Sequence, residues 1–129
     1  MNATNVTAIK LTILGNVPSQ KNSKQIVVNR ATGRPFITSS KLVKQWQTEA
    51  LWQLKSAPTA SQYPTGITMV FYYDNRRRHD LDNSASTVLD ILVKAGVIED
   101  DNVNYIDTVT LQYGGYDKQN PRVEIYIDG

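Results

Sequence analysis

Apolar and polar positions alternate in some stretches of this chain and follow helical spacing in others. Val6 to Leu14 repeats every two residues, with Ile9, Leu11 and Ile13 on one face and Lys10 and Thr12 on the other. That pattern predicts a half-buried strand. Gly15 to Ser19 ends it with turn residues, and Gln20 to Lys24 is a polar, basic loop. Ile26–Asn29 and Pro35–Ile37 predict two short strands around a turn, Arg30 to Arg34, with Gly33 available for positive φ. This hairpin would present Lys24, Arg30 and Arg34 to solvent.

Leu42, Val43, Trp46, Ala50 and Leu54 then fall at helical spacing, which predicts a helix capped by Ser39 or Ser40 and running to about Ser56. Trp46 is expected in the core, and Trp52 as well, with stacking on a base as the alternative for Trp52. After a loop to Gly66, the run Ile67–Tyr73 is β-branched and aromatic and predicts a central strand. A second helix is expected from a cap at Asp82 or Asn83, with Val88, Leu89, Leu92 and Val93 as its apolar stripe and Gly96 as its stop. Tyr105–Tyr113 and Arg122–Ile127 alternate again, and Gly114-Gly115 between them suggests a closing hairpin. The order predicts an α+β domain: a mixed or antiparallel β-sheet with two α-helices packed against it.

A length of 129 residues suits one domain, residues 1–129, with one core. The chain has no cysteine and one histidine. A metal site would therefore be built from oxygen, which favours Mg²⁺, Mn²⁺ or Ca²⁺ over zinc. No apolar stretch approaches a membrane span, and the start of the sequence does not resemble a signal peptide. The absence of cysteine fits a reducing cytoplasm.

Charge is unevenly spread. Residues 1–55 hold eight Lys/Arg against Glu49 alone, a net of +7, whereas residues 56–129 hold six basic and eleven acidic residues, a net of −5. A basic half suggests a polyanionic partner. Two halves that attract each other as a solvated surface are the plainer alternative.

The stretch Arg76-Arg77-Arg78-His79-Asp80-Leu81-Asp82-Asn83 concentrates the candidate chemistry. A basic run attracts phosphate. In extended chain, Asp80 and Asp82 would point the same way, and two nearby carboxylates repel unless a cation or proton lies between them. A capped, solvated turn would need the same residues. Glu99-Asp100-Asp101 is a second acidic group, but a helix between the two would hold them roughly 18 Å apart.

Asp80-Leu81-Asp82-Asn83, the helix end Leu92-Val93-Lys94-Ala95-Gly96, and Val97-Ile98-Glu99-Asp100-Asp101 together resemble the RusA family of Holliday junction resolvases of bacteria and their phages. The loop Pro18-Ser19-Gln20-Lys21-Asn22-Ser23-Lys24 and the basic run before Asp80 are similar too. The resemblance implies a homodimeric, Mg²⁺-dependent endonuclease, with Mn²⁺ as a substitute. Such an enzyme resolves branched DNA, the four-way junction, by paired symmetric nicks in recombination and repair. It implies Asp80, Asp82 and Asp101 as catalytic metal ligands, Asp100 as a supporting neighbour, and Asn83 as the asparagine of the motif. Lys21, Lys24, Arg30, Arg34, Arg76, Arg77, Arg78 and His79 would face the DNA backbone.

One departure stands out. Many members carry a lysine four residues after the second aspartate of the motif, where this chain has Ser86. Lys21, Lys24 and Arg78 are the candidates to replace that charge. The alternative is a catalytically weak or inactive junction-binding protein with the same fold. His79 also stands where an arginine is often found.

Overall fold

The computed structural model describes residues 8–18, 24–39 and 41–128. The central strand is β4, Thr65–Tyr73, whose side chains alternate strictly between buried and half-buried. Ile67, Met69, Phe71 and Tyr73 face the core, where full burial of such a side chain contributes about 1.5–3 kcal/mol. Two helices cover that face: α1, Lys41–Gln53, and α2, Leu81–Lys94.

The main sheet is completed by β1 (Ile9–Leu14), β5 (Ile106–Tyr116) and β6 (Arg122–Ile127), in the order β1-β6-β4-β5. β4 is parallel to β5 and antiparallel to β6, and β1 is antiparallel to β6. The α+β class with a mixed sheet therefore holds. The two strands β2 (Lys24–Val28) and β3 (Pro35–Ser39) form a separate antiparallel ribbon. Its turn is closed as expected: the Asn29 side chain accepts from the Ala31 and Thr32 amides, and Gly33 takes φ +69°. Val6 and Thr7, the basic loop 19–23 and the capping candidate Ser40 lie outside the described residues.

The expected closing hairpin is not formed. β4 lies between β5 and β6, so the last two strands never pair. Alternation identifies strands but not their neighbours, and here a β4–α2–β5 crossover places β5 parallel on the outer side of β4. Gly114-Gly115 is not a turn either, because β5 continues through it to Tyr116. The ladder slips at this point, from Phe71 opposite Tyr113 to Tyr72 opposite Gly115. A side chain on Gly114 would collide with the Tyr72 ring, and Gly115 takes φ +136°. The glycine pair is thus a bulge within the strand.

Three further expectations change. Leu42 is 62% exposed and Trp52 70% exposed, although Val43, Trp46, Ala50 and Leu54 are buried. Six residues advance a helix by about 600°, which turns Trp52 away from the side that Trp46 buries. The cap of α2 falls at Asp80, ahead of the expected Asp82 or Asn83. Gly96, with φ +76°, ends that helix as anticipated.

Candidate metal and DNA site

Strand β4 delivers the chain directly into the candidate site. Its last residue, Tyr73, is buried, and its hydroxyl shares a 2.8 Å hydrogen bond with Ser84 Oγ in the first turn of α2. Burial raises the Tyr73 pKa, so the phenol stays protonated. The segment 74–79 is then stitched by short polar side chains. Asn75 Oδ1 accepts from the Arg77 amide at 3.0 Å and lies 2.9 Å from His79 Nε2. The Asn75 amide donates to Asp74, and Asn16 accepts from the Asp74 amide. The His79 ring lies flat on Tyr73, centroids 3.7 Å apart and planes within 4°. Desolvation lowers the His79 pKa, which favours the neutral imidazole.

His79 thereby fixes the residue that follows it. Asp80 is still extended (φ −96°, ψ 113°), and α2 begins at Leu81. Asp80 occupies the cap position, but its side chain makes no capping hydrogen bond. Its carboxylate is half-exposed, with Arg78 Nε 3.7 Å away. Asp82 is exposed in the first turn. Because Asp82 is already helical, the two carboxylates are related by helical winding and not by the shared face of a strand. Carboxylates at a helix N-terminus also meet the positive end of the helix dipole.

Arg76, Arg77 and Arg78 are exposed around these aspartates, and Arg76 lies over the Tyr116 ring at 4.4 Å. Asn83 is half-buried in the first turn. Ser86 is exposed, and its hydroxyl turns back to the Asp82 carbonyl at 3.3 Å. Arg30 and Arg34 are exposed at the tip of the β2–β3 ribbon. Lys21 and the side chain of Lys24 lie outside the described residues, but the backbone just before that loop is anchored, with Thr87 Oγ1 donating to the Pro18 carbonyl at 3.0 Å.

The second acidic group sits at the far end of α2. Fourteen helical residues span about 21 Å. Beyond them, Asp100 accepts from the Asp101 amide and the Asn102 side chain, and Glu99, Asp100 and Asp101 are all exposed. Among the described residues no three Asp, Glu or His side chains converge as a metal site. The donor set is nonetheless all oxygen, and at Asp80 it is uncommitted to capping, which suits a hard divalent cation.

The family model described as Endodeoxyribonuclease RusA matches residues 16–128, nearly the whole described chain. The chain belongs to the RusA family. It is also 33% identical over 63 residues to the crossover junction endodeoxyribonuclease RusA of Aquifex aeolicus (strain VF5), an overlap covering 47% of this chain and 50% of that protein. The match thus spans about half the length of this curated relative. The residues that carry the resemblance, 80–83 and 92–101, fall at the start of α2, at its end and on the turn that follows.

Several residues of the site escaped the sequence. Tyr73, Asn75 and Ser84 hold it from behind, and Tyr113 and Tyr116 border it from β5. Tyr73 was reachable, since alternation along 67–73 points it inward. Tyr113 and Tyr116 are three apart and reach one face only because the glycine bulge intervenes.

Proposed function

We propose that this chain is a divalent-metal-dependent endodeoxyribonuclease that resolves four-way DNA junctions as a homodimer, with Mg²⁺ as its ion and Mn²⁺ able to substitute. The observation that carries this reading is the start of α2. There a carboxylate in the cap position makes no capping bond and stands among three exposed arginines, in a chain of the RusA family. Asp80 and Asp82 of one protomer would hold the ion together with Asp101, with Asp100 beside it. An ion held there lowers the pKa of water and offsets charge on the phosphate. Arg76, Arg77 and Arg78, with Arg30, Arg34 and the basic first half, would grip the backbone by charge and contribute no sequence reading. His79 supports this grip from inside, because its ring is stacked on Tyr73.

The 21 Å helix argues that Asp101 reaches Asp80 and Asp82 from the partner subunit. β5 is an edge strand of eleven residues, exposed over most of its length. Antiparallel pairing of β5 with its copy would lay the start of each strand beside the end of the other. That exchange would carry the 99–102 turn of one protomer toward the 76–82 segment of its partner. A C2 dimer also matches a junction that needs two symmetric nicks.

A second reading, junction binding with little or no cleavage, is favoured by Ser86, whose hydroxyl bonds the Asp82 carbonyl and supplies no positive charge. A synthetic four-way junction with Mg²⁺ separates the two. Paired nicks near the crossover are expected from the first reading, and tight binding without nicks from the second. Indifference to branched DNA would contradict both. Among the described residues no helix is long and apolar enough to cross a membrane. The proposed substrate would place the protein in the cytoplasm of a bacterial cell or of a phage-infected host.

A further inference from the structure

Beside the start of α2 lies a hollow of about 390 Å³ lined by Arg76, Arg77, Arg78, His79, Leu81 and Tyr113. Its two sides differ in chemistry. The arginines form a cationic rim, with Arg78 92% exposed at its side chain. Leu81 and the Tyr113 ring form an apolar floor. A phosphate alone would satisfy the rim and leave the floor wet. A nucleotide carries both an anion and a flat π-face, and so it matches both sides.

Tyr113 is prepared for stacking. It is 52% exposed, yet its ring is held near-parallel to Tyr73, centroids 6.4 Å apart and planes within 25°. Tyr73 in turn carries His79 at 3.7 Å and is tied to Ser84. The rings form a ladder that begins in the core and ends at an exposed tyrosine. A side chain fixed from behind loses little freedom when a second ring settles on it. Tyr113 also pairs with Phe71 in the sheet register, which puts it on the helix side. An added strand beside β5 would lie in the plane of the sheet and leave that side open.

The geometry points to a base cradle: one nucleotide at the junction crossover leaves its stack, lays its base on Tyr113 and Leu81, and sets its phosphate among Arg76, Arg77 and Arg78. This rests on the proposed junction reading and adds to it a contact with a base. Since every base has a π-face, the cradle tolerates sequence and selects for a base that can leave its stack. A crossover offers such bases and an intact duplex does not.

The test is photo-cross-linking with 5-iodouracil at the crossover position, without divalent metal, presented both in a four-way junction and as the single strand. Cross-links are mapped by mass spectrometry. A cross-link at Tyr113 in the junction is expected. Tyr113→Ala should reduce it to background and weaken junction binding at least about fivefold, whereas Tyr113→Trp should retain both. A Tyr113 cross-link with the single strand but no preference for the junction would keep the cradle and contradict the junction reading. A junction bound tightly with cross-links only elsewhere would overturn the cradle and leave the junction reading standing. Absence of any bound DNA would overturn both.

Discussion

The two ends of α2 both carry aspartates, but they are built differently. At the N-terminal end, Asp80 follows a histidine stacked on a buried tyrosine, and that tyrosine is bonded to Ser84 in the helix itself. The neighbouring loop is closed by Asn75 and tied back to Asn16. At the C-terminal end, Asp100 and Asp101 sit on an exposed turn bonded largely by its own side chains, with the Glu99 amide donating to the Tyr63 hydroxyl. One end anchors to the core the backbone that carries its carboxylate, and the other displays its carboxylates on a rim. The contrast is what a site shared between two chains would need: a rigid half and a half presented for a partner to complete.

The largest expected effect is on chemistry at the rigid end. Asp82→Asn should lower Mg²⁺-dependent nicking of a four-way junction by more than about a hundredfold, while junction binding holds or tightens because a carboxylate that would face the phosphate is gone. Full nicking by this variant would remove Asp82 from the ligand set. The arginines come next. Replacing Arg76, Arg77 and Arg78 by alanine should flatten the dependence of log affinity on log salt by about one unit per lost phosphate contact, measured by anisotropy titrations across salt. An unchanged slope would mean that this edge does not touch the backbone.

A smaller effect is expected at the departure from the family. Ser86→Lys should raise the single-turnover nicking rate on the order of tenfold if the charge is missing there. No change would mean that another cation already serves. The smallest effects are on stability, and they test the contrast between the ends directly. Tyr73→Phe leaves a buried Ser84 hydroxyl without its partner and should cost about 1–2 kcal/mol in urea unfolding. Asp100→Ala, on the exposed turn, should stay within about 0.5 kcal/mol of the parent. Equal losses would contradict the distinction between a built end and a displayed end.

Much of the fold was legible because period-two and helical spacing report burial directly. Ile9 and Ile13, Val43 and Trp46, and Val88 and Leu92 are buried where the patterns put them. What alternation does not encode is which strand lies beside which, so nothing in the pattern places β4 between β5 and β6. Gly114-Gly115 has the composition of a turn, and only the close approach of Tyr72 shows it to be a bulge. Trp52 looked like core because tryptophan usually is, although its position on α1 points it outward. The candidate site is legible at its charged residues, since Asp80, Asp82 and the arginines are of the types that suit metal and phosphate chemistry. The residues that hold them are not charged. Tyr73, His79 and Ser84 act through a ring stack and a buried hydrogen bond, which depend on the fold having formed.

The central claim is that the rigid half and the displayed half meet across a twofold axis. Mixing two inactive homodimers, Asp80→Asn and Asp101→Asn, and allowing subunits to exchange tests it. In a mixed dimer, one composite site would collect both substitutions and the other would have neither. Nicking of a single strand per junction should therefore return, at about a quarter of the parent's site number when half the dimers are mixed. If both carboxylates of a site come from the same chain, every site in the mixture keeps one substitution and no nicking returns, a result that would contradict the shared site.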